Sequence, residues 1–203
     1  MQKTFIFIGR SGCGKGTQAQ LLMDTMKAAD DAEIFYLETG QKFRDFVKEP
    51  NYTAGLAYDV MQTGARQPDF LAAHIWSHLF IESFNGRQHL VIDGTPRSKN
   101  EAIILDTAMK FYKREKPFIV YMNVGNDWSR MRLHERGRTD DKSAAEVDKR
   151  LSWFERDVMP AVEFYRDHPD YRFLDINGEQ PIEAVHAELM QKISARLSGQ
   201  AAS

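Results

Sequence analysis

TFIFIGRSGCGKGT, residues Thr4–Thr17, decides the fold of this chain. Five apolar or β-branched residues (Thr4 to Ile8) run into GRSGCGKGT (Gly9–Thr17), and a helical pattern starts at Lys15. A strand that passes through a glycine-rich turn into a helix is the setting a phosphate-binding loop needs. Its glycines let backbone N–H groups turn inward around a polyphosphate, the helix N-terminus adds partial positive charge, and Lys15 supplies a full one. The strict pattern places Ser or Thr directly after the lysine, whereas here Gly16 intervenes before Thr17. Magnesium ligation by Thr17 is correspondingly less firmly specified. Two other readings compete: a glycine-rich turn with an incidental lysine, and a dinucleotide-binding turn with Glu38 as the ribose-binding acid. The strand-loop-helix setting counts against the first; Lys15, and the lack of continued βαβ alternation after Glu38, count against the second. Cys13 reads as a small loop filler rather than a reactive thiol.

Working outward, apolar runs recur at Thr4 to Ile8, Ile34 to Leu37, Leu90 to Ile92, Phe118 to Val124 and Tyr171 to Ile176. Helical patterns separate them, roughly at Lys15 to Ala28, Gln41 to Val47, Ala54 to Gln62, Asp69 to Phe84, Ser98 to Tyr112, Asp127 to Glu135, Ser143 to Arg166 and Ile182 to Leu197. This alternation implies an α/β fold with a mostly parallel sheet covered on both faces. Two stretches break it: Thr39 to Asp69, helical between two strands, and the polar turn Arg136 to Lys142 between two helices. Both are candidate moving parts. Ser143 and Glu146 have capping-box spacing, and Val147, Leu151, Phe154, Val158 and Val162 then recur at helical intervals.

The 203 residues suit one sizeable domain, and 42% hydrophobic with 28% charged residues argues against disorder. A net charge of −2 speaks against a general nucleic-acid binder. The single cysteine excludes an internal disulfide and fits a reducing compartment, with the cytoplasm as the expected location. The apolar run at Phe5 to Ile8 is too short for a signal-peptide core or a membrane span.

LVIDG (Leu90–Gly94) reads as a buried strand ending in Asp93, placed to hold magnesium or its water beside a triphosphate; the plainer reading is a turn aspartate before glycine. Arginine is concentrated late, at Arg130, Arg132, Arg136, Arg138, Arg150 and Arg156. A solvated face accounts for Arg130 and Arg156. Arg132, Arg136, Arg138 and Arg150, around the polar turn, read better as a cationic clamp, because guanidinium binds phosphate oxygens bidentately. His74 and His78 are spaced i, i+4, but Ile75 stands where a zinc protease would place its glutamate, so they read as helix residues.

Together GRSGCGKGTQ, TGQKFR (Thr39–Arg44), TGARQPD (Thr63–Asp69), DGTPR (Asp93–Arg97) and RGRTDD (Arg136–Asp141) resemble the adenylate kinase family in its short-lid form, in order over nearly the whole chain. The resemblance implies a P-loop fold of three layers with a five-stranded parallel sheet, a monophosphate-binding element at 39–69 and a short lid at 136–142 within one domain, 1–203. It implies that ATP phosphates sit on Gly12, Cys13, Gly14, Lys15, Gly16 and Thr17, that Arg132 and Arg136 face ATP, and that the segment Asn177 to Gln180 touches its adenine. It implies that Arg44, Arg97 and Gly94 hold the phosphate of a nucleoside monophosphate while Thr39, Gly40, Ala65, Arg66 and Gln67 surround its base. Arg138 and Arg150 would bridge the transferring group, Asp140 and Asp141 would tie the lid arginines, and Asp93 would hold Mg2+ through water. Lys15, Arg97, Arg132, Arg138 and Arg150 would carry catalysis in a monomer.

Four positions depart from that pattern. Glu101 stands where the family carries an adenine-reading glutamine, and an ionised glutamate only accepts hydrogen bonds, so a base presenting donors is favoured; the alternative role is a capping box with Ser98. Arg66 and Gln67 replace apolar residues, and Thr95 replaces an aromatic one. Only Gly137 separates Arg136 from Arg138, which predicts less complete lid closure and some loss of ATP to water.

Overall fold

The computed structural model of the chain describes residues 2–136 and 144–199. Five strands form one all-parallel sheet: β1 (Thr4–Gly9), β2 (Ile34–Glu38), β3 (His89–Asp93), β4 (Phe118–Asn123) and β5 (Arg172–Asn177), in the spatial order β2-β3-β1-β4-β5. The chain leaves β1 toward one edge, returns through β3 and proceeds to the other edge, so β1 is central. Asp93 at the end of β3 pairs in register with Phe7 of β1 and with Glu38 of β2. Carboxyl ends of three strands therefore meet beside the phosphate loop, where open parallel sheets bind ligands.

Side chains alternate across each strand, which divides the core in two. Ile6, Ile8, Leu37, Leu90 and Ile92 face α4 (Asp69–Ser83), α5 (Lys99–Phe111) and α8 (Met159–Arg166), through Trp76, Phe80, Leu105 and Val162. Phe5, Phe7, Val91, Val120 and Met122 face α1 (Lys15–Ala29) and α9 (Ile182–Leu197), through Leu22, Met26, Val185 and Leu189. Burial on both faces is why these strands read as continuous apolar runs rather than alternating ones.

The two irregular stretches form appendages above the carboxyl ends. Residues between β2 and α4 fold into α2 (Thr39–Phe46) and α3 (Tyr52–Gln62), packed on α4 through Phe43, Ala57, Leu71 and Ala72. α3 starts where Asn51 Oδ1 accepts from Ala54 N–H at 2.8 Å. Between β4 and β5 the chain forms α6 (Asn126–Arg136) and α7 (Ala144–Trp153), joined by a small core of Leu133, Val147 and Leu151. The single helix expected over Ser143 to Arg166 is interrupted: a π-helical turn, Phe154–Val158, separates α7 from α8. The expected apolar residues are nevertheless buried, Phe154 and Val158 included. Ser143, the proposed cap, lies outside the described residues, as do Arg138, Asp140 and Asp141.

Candidate active site

The phosphate loop is built by two left-handed glycines. Gly12 (φ +83°) and Gly14 (φ +91°) adopt backbone that side chains resist, and a Cβ on Gly12 would come within 2.9 Å of the Ser129 carbonyl. Gly14 caps α1 with no side-chain hydrogen bond, and the first turn of α1 carries no acidic residue. Its N–H groups thus face an uncompensated opening, which suits an external anion. Lys15 Nζ folds back and donates to the carbonyls of Gly9 (2.9 Å) and Arg10 (2.8 Å).

From this loop a cleft of about 780 Å3 extends across the strand ends. One end is lined by Gly12, Cys13, Gly14, Lys15, Gly16 and Thr17, with Trp128 and Arg132 from α6 and Gln180 beyond β5. The other is lined by Gly40, Arg44, Met61, Ala65, Gln67, Gly94 and Arg97. Asp93 and Arg150 line the cleft as well.

Three guanidinia converge in the second half. A Cβ on Gly40 would meet Arg44 Nη1 at 3.4 Å and Arg97 Nη2 at 3.6 Å, and one on Gly94 would meet Arg97 Nη2 at 3.1 Å. The two glycines therefore leave the space into which the arginines reach. Arg97 donates through Nε to Gly94 O at 2.7 Å, and Arg44 is held by Glu38 Oε1 at 3.0 Å and Gln41 Oε1 at 2.8 Å. Burial depresses the Arg97 pKa; Glu101 and Asp93 oppose that, while Arg150 and Arg44 lower it further. Like charges held this close mark a site for a multiply charged anion. Glu38, the candidate ribose acid of a dinucleotide site, is thus engaged with Arg44.

A phosphate-binding loop at one end of a cleft and an arginine cluster at the other describe a site for two phosphorylated molecules meeting end to end. A sequence model of the adenylate kinase family matches residues 7–169. The chain belongs to the adenylate kinase family. An adenylate kinase 1 from Nostoc sp. is 30% identical over 184 residues, 91% of this chain and 95% of the relative. An adenylate kinase 1 from Synechocystis sp. is 29% identical over 93% of this chain and 96% of the relative, and an adenylate kinase from Oenococcus oeni is 25% identical over 96% and 99%. As a member of that family the chain is a phosphotransferase that uses a phosphate group as acceptor, a nucleoside monophosphate kinase.

Not every residue expected at the adenylate kinase site lines the cleft. Thr39 and Glu101 are buried, each 1% exposed, and Arg66 is 18% exposed on its side chain; none of the three lines the cleft. Arg66 pairs with Asp69 and lies 3.5 Å from Glu101 Oε1 and 3.6 Å from Asp157 Oδ2. Glu101 Oε2 accepts from Thr95 Oγ1 at 3.0 Å, and Glu101 N–H donates to Ser98 Oγ at 3.1 Å. The capping role foreseen for Ser98 is therefore present, while the Glu101 carboxylate turns to Thr95 and Arg66. Among the described residues, Glu101 Oε1 and Gln67 Oε1 are buried without a hydrogen-bond donor. Arg136 ends α6, and its side chain lies outside the described residues.

Sequence reasoning passed over two residues that shape this site. Trp153 closes the cleft beside Arg150 and donates through Nε1 to Gly64 O at 3.2 Å, linking α7 to the loop before α4. Arg10, inside the phosphate loop, reaches three residues in two segments distant in sequence: Val124 and Asn126 in one, Glu155 in the other. Local motif reading favours glycine and lysine here and carries no signal for either contact. Arg130 bridges α6 and α7 through Asp127 (3.0 Å) and Asp148 (2.8 Å), and Arg156 is exposed beside Asp157. His74 and His78 stack at 5.8 Å on α4, with His78 3.5 Å from Glu82.

Proposed function

We propose that this kinase transfers the γ-phosphoryl group of ATP to AMP, reversibly, giving two ADP. The observation that carries the reading is the shared cleft: Lys15 and the phosphate loop at one end, Arg44, Arg97 and Arg150 at the other. Whole-length similarity to adenylate kinases supports AMP as acceptor. An oxygen of the AMP phosphate forms the new bond to the γ-phosphorus as the bond to the β,γ-bridging oxygen breaks, and ADP leaves. The acceptor phosphate has a second pKa of about 6 and is already an anion at neutral pH, so no general base is required. Positioning and charge neutralisation carry the rate. In this reading Gly12 to Thr17 hold the donor phosphates and Lys15 exchanges its two carbonyl partners for phosphate oxygens. Arg132 and Arg136 face ATP, and Gln180 borders its base. Arg44, Arg97, Gly40 and Gly94 hold AMP, with Ala65 and Gln67 around the base; Thr39, Arg66 and Glu101, expected there as well, stand outside the cleft lining. Arg138 and Arg150 neutralise the group in flight.

Mg2+ would accompany ATP. A Cβ on Gly16 would lie 3.3 Å from Asp93 Oδ2, so that carboxylate abuts the loop that also carries Thr17. Hard oxygen donors of this kind suit magnesium, and Asp93 through water with Thr17 would hold it. When bound, the ion would screen the β- and γ-phosphate charges. Residues 136–142 serve as the lid and 39–69 as the AMP-binding element of a single domain. The protein acts as a cytoplasmic monomer: its lone, buried Cys13 supports a reducing compartment, and the monomer rests on resemblance to the family alone.

One observation favours another acceptor. Gln67 lines the cleft, and its buried Oε1, which has no hydrogen-bond donor, would reward a base presenting N–H donors, such as guanine or uracil. Measuring diphosphate formation with Mg2+, ATP and AMP, CMP, GMP or UMP decides: AMP should give the highest kcat/KM. Preference for GMP or UMP would replace AMP as acceptor, and no product from any monophosphate would overturn the reading altogether.

A further inference from the structure

All three nitrogens of the Arg10 guanidinium, and one of its faces, are engaged. Its Nε donates to Asn126 Oδ1 at 2.9 Å and its Nη1 to Val124 O at 2.8 Å, both at the start of α6. Nη2 pairs with the Glu155 carboxylate, and the guanidinium carbon sits 4.2 Å over the Phe154 ring, both in the π-helical turn after α7. Arg10 is 9% exposed although its loop opens on the cleft. Its carbonyl is meanwhile one of the two resting acceptors of Lys15 Nζ.

The described residues between those two sets of contacts form one arm. It comprises α6 and α7 with their small core, and it carries Arg132 and Arg150 to the cleft. Both ends of the arm, nearly thirty residues apart in sequence, are bolted to one side chain of the phosphate loop. A π-turn is less stable than the α-helix it replaces and is kept where something uses it. Here it presents the Phe154 ring and the Glu155 carboxylate to the same guanidinium. A planar fork aims donors on three separate nitrogens at both ends at once, whereas an ammonium offers its donors from a single nitrogen.

We propose that Arg10 is a positioning residue for phosphoryl transfer: by rooting both ends of the arm in the phosphate loop, it sets where Arg132 and Arg150 stand relative to the donor phosphates. The kinetic part rests on the function proposed above; the structural part does not.

Two measurements on the full-length protein test it. In hydrogen exchange without nucleotide, Glu155→Gln and Arg10→Lys should both lose protection at the start of α6 and across the α7–π-turn junction together. Loss confined to one end, or none, would overturn the common root. In steady-state assays, Arg10→Lys and Arg10→Met should each lower kcat by about 10- to 100-fold, the scale of a misplaced catalytic group, with KM for AMP changed less than about threefold. Combined with Arg150→Lys, the second loss should be much smaller than the first, because both act through one group. A lowered melting temperature with kcat intact, or full additivity, would overturn the positioning role. Should the Arg10 variants fail to fold, Glu155→Gln, at a half-exposed site, carries the kinetic test: unchanged kcat refutes the proposal and a several-fold loss supports it. A wild-type protein inactive on every monophosphate would sink the proposed function alone, because the exchange pattern is read without turnover.

Discussion

Lys15 and Glu101 show how much a single side chain's surroundings decide. Lys15 Nζ is satisfied by two backbone carbonyls, so moving to a phosphate exchanges one set of charge-assisted hydrogen bonds for another. Lys15→Met should therefore leave the fold intact and cut kcat by at least about 10²-fold, as loss of preorganised charge at a transferring group does. Unchanged turnover of ATP and AMP would refute its role. Glu101 is a different case: burial raises its pKa, opposed by Arg97, Thr95 and Arg66. The folded chain then binds this proton more tightly than the unfolded chain, so stability is lost as pH rises from the ordinary glutamate range through the raised folded value. Glu101→Gln cannot titrate, and its melting temperature should fall less over that window than that of the wild type; parallel curves would contradict the assignment. At this scale the sequence was legible where chemistry is local. The glycine spacing and Lys15 lie within nine residues, whereas the partners of Arg10 stand 114 to 145 residues away and leave no trace beside it.

Elements were legible where periodicity is clean. β1, β3 and α9 lie within a residue or so of their expected bounds because apolar runs and helical spacing are uninterrupted there. The helix through Ser143 to Arg166 kept its apolar period but not its uniform winding: burial of Leu151, Phe154 and Val158 is compatible with an α- or a π-turn, and Pro160, with no N–H for the carbonyl four residues back, breaks the α-helical ladder just there. The loop from Gly64 to Pro68 is fixed from α7. Gly64 has φ +65°, and a Cβ there would come within 2.9 Å of the Glu146 carbonyl. Gly64→Ala should destabilise by about 1–3 kcal/mol, from left-handed strain plus displacement of α7, and lower the melting temperature by about 2–10 °C in a chain of this size. A melt superimposable on the wild type would show that the loop yields without cost.

The whole molecule is one parallel sheet between two layers of helices, with two appendages above the strand ends. Family and architecture were readable because five short motifs stand in order, and the four that lie among the described residues each contribute side chains or backbone to the cleft above the strand ends. The acceptor side was read less well: Arg66 and Glu101 pair with each other, and pairing across separate segments is not encoded in either segment alone. If the cleft holds two nucleotides end to end, a dinucleoside polyphosphate long enough to span it gains both subsites for one loss of translational freedom. At about 100 times its dissociation constant it should add about 2.7 kcal/mol, or roughly 5–10 °C in melting temperature, and do so at concentrations where ATP or AMP alone has little effect. A shift no larger than that given by equimolar ATP would show that the subsites are not joined.

The mutual repulsion of Arg44, Arg97 and Arg150 has one more consequence, for traffic rather than chemistry. A chain with a net charge of −2 concentrates cationic potential in one recess, so phosphorylated molecules are drawn to the cleft while its remaining surface offers them little. Raising ionic strength should then slow nucleotide capture far more than turnover of what is already bound, and ordinary oxyanions such as sulfate should linger in the acceptor half.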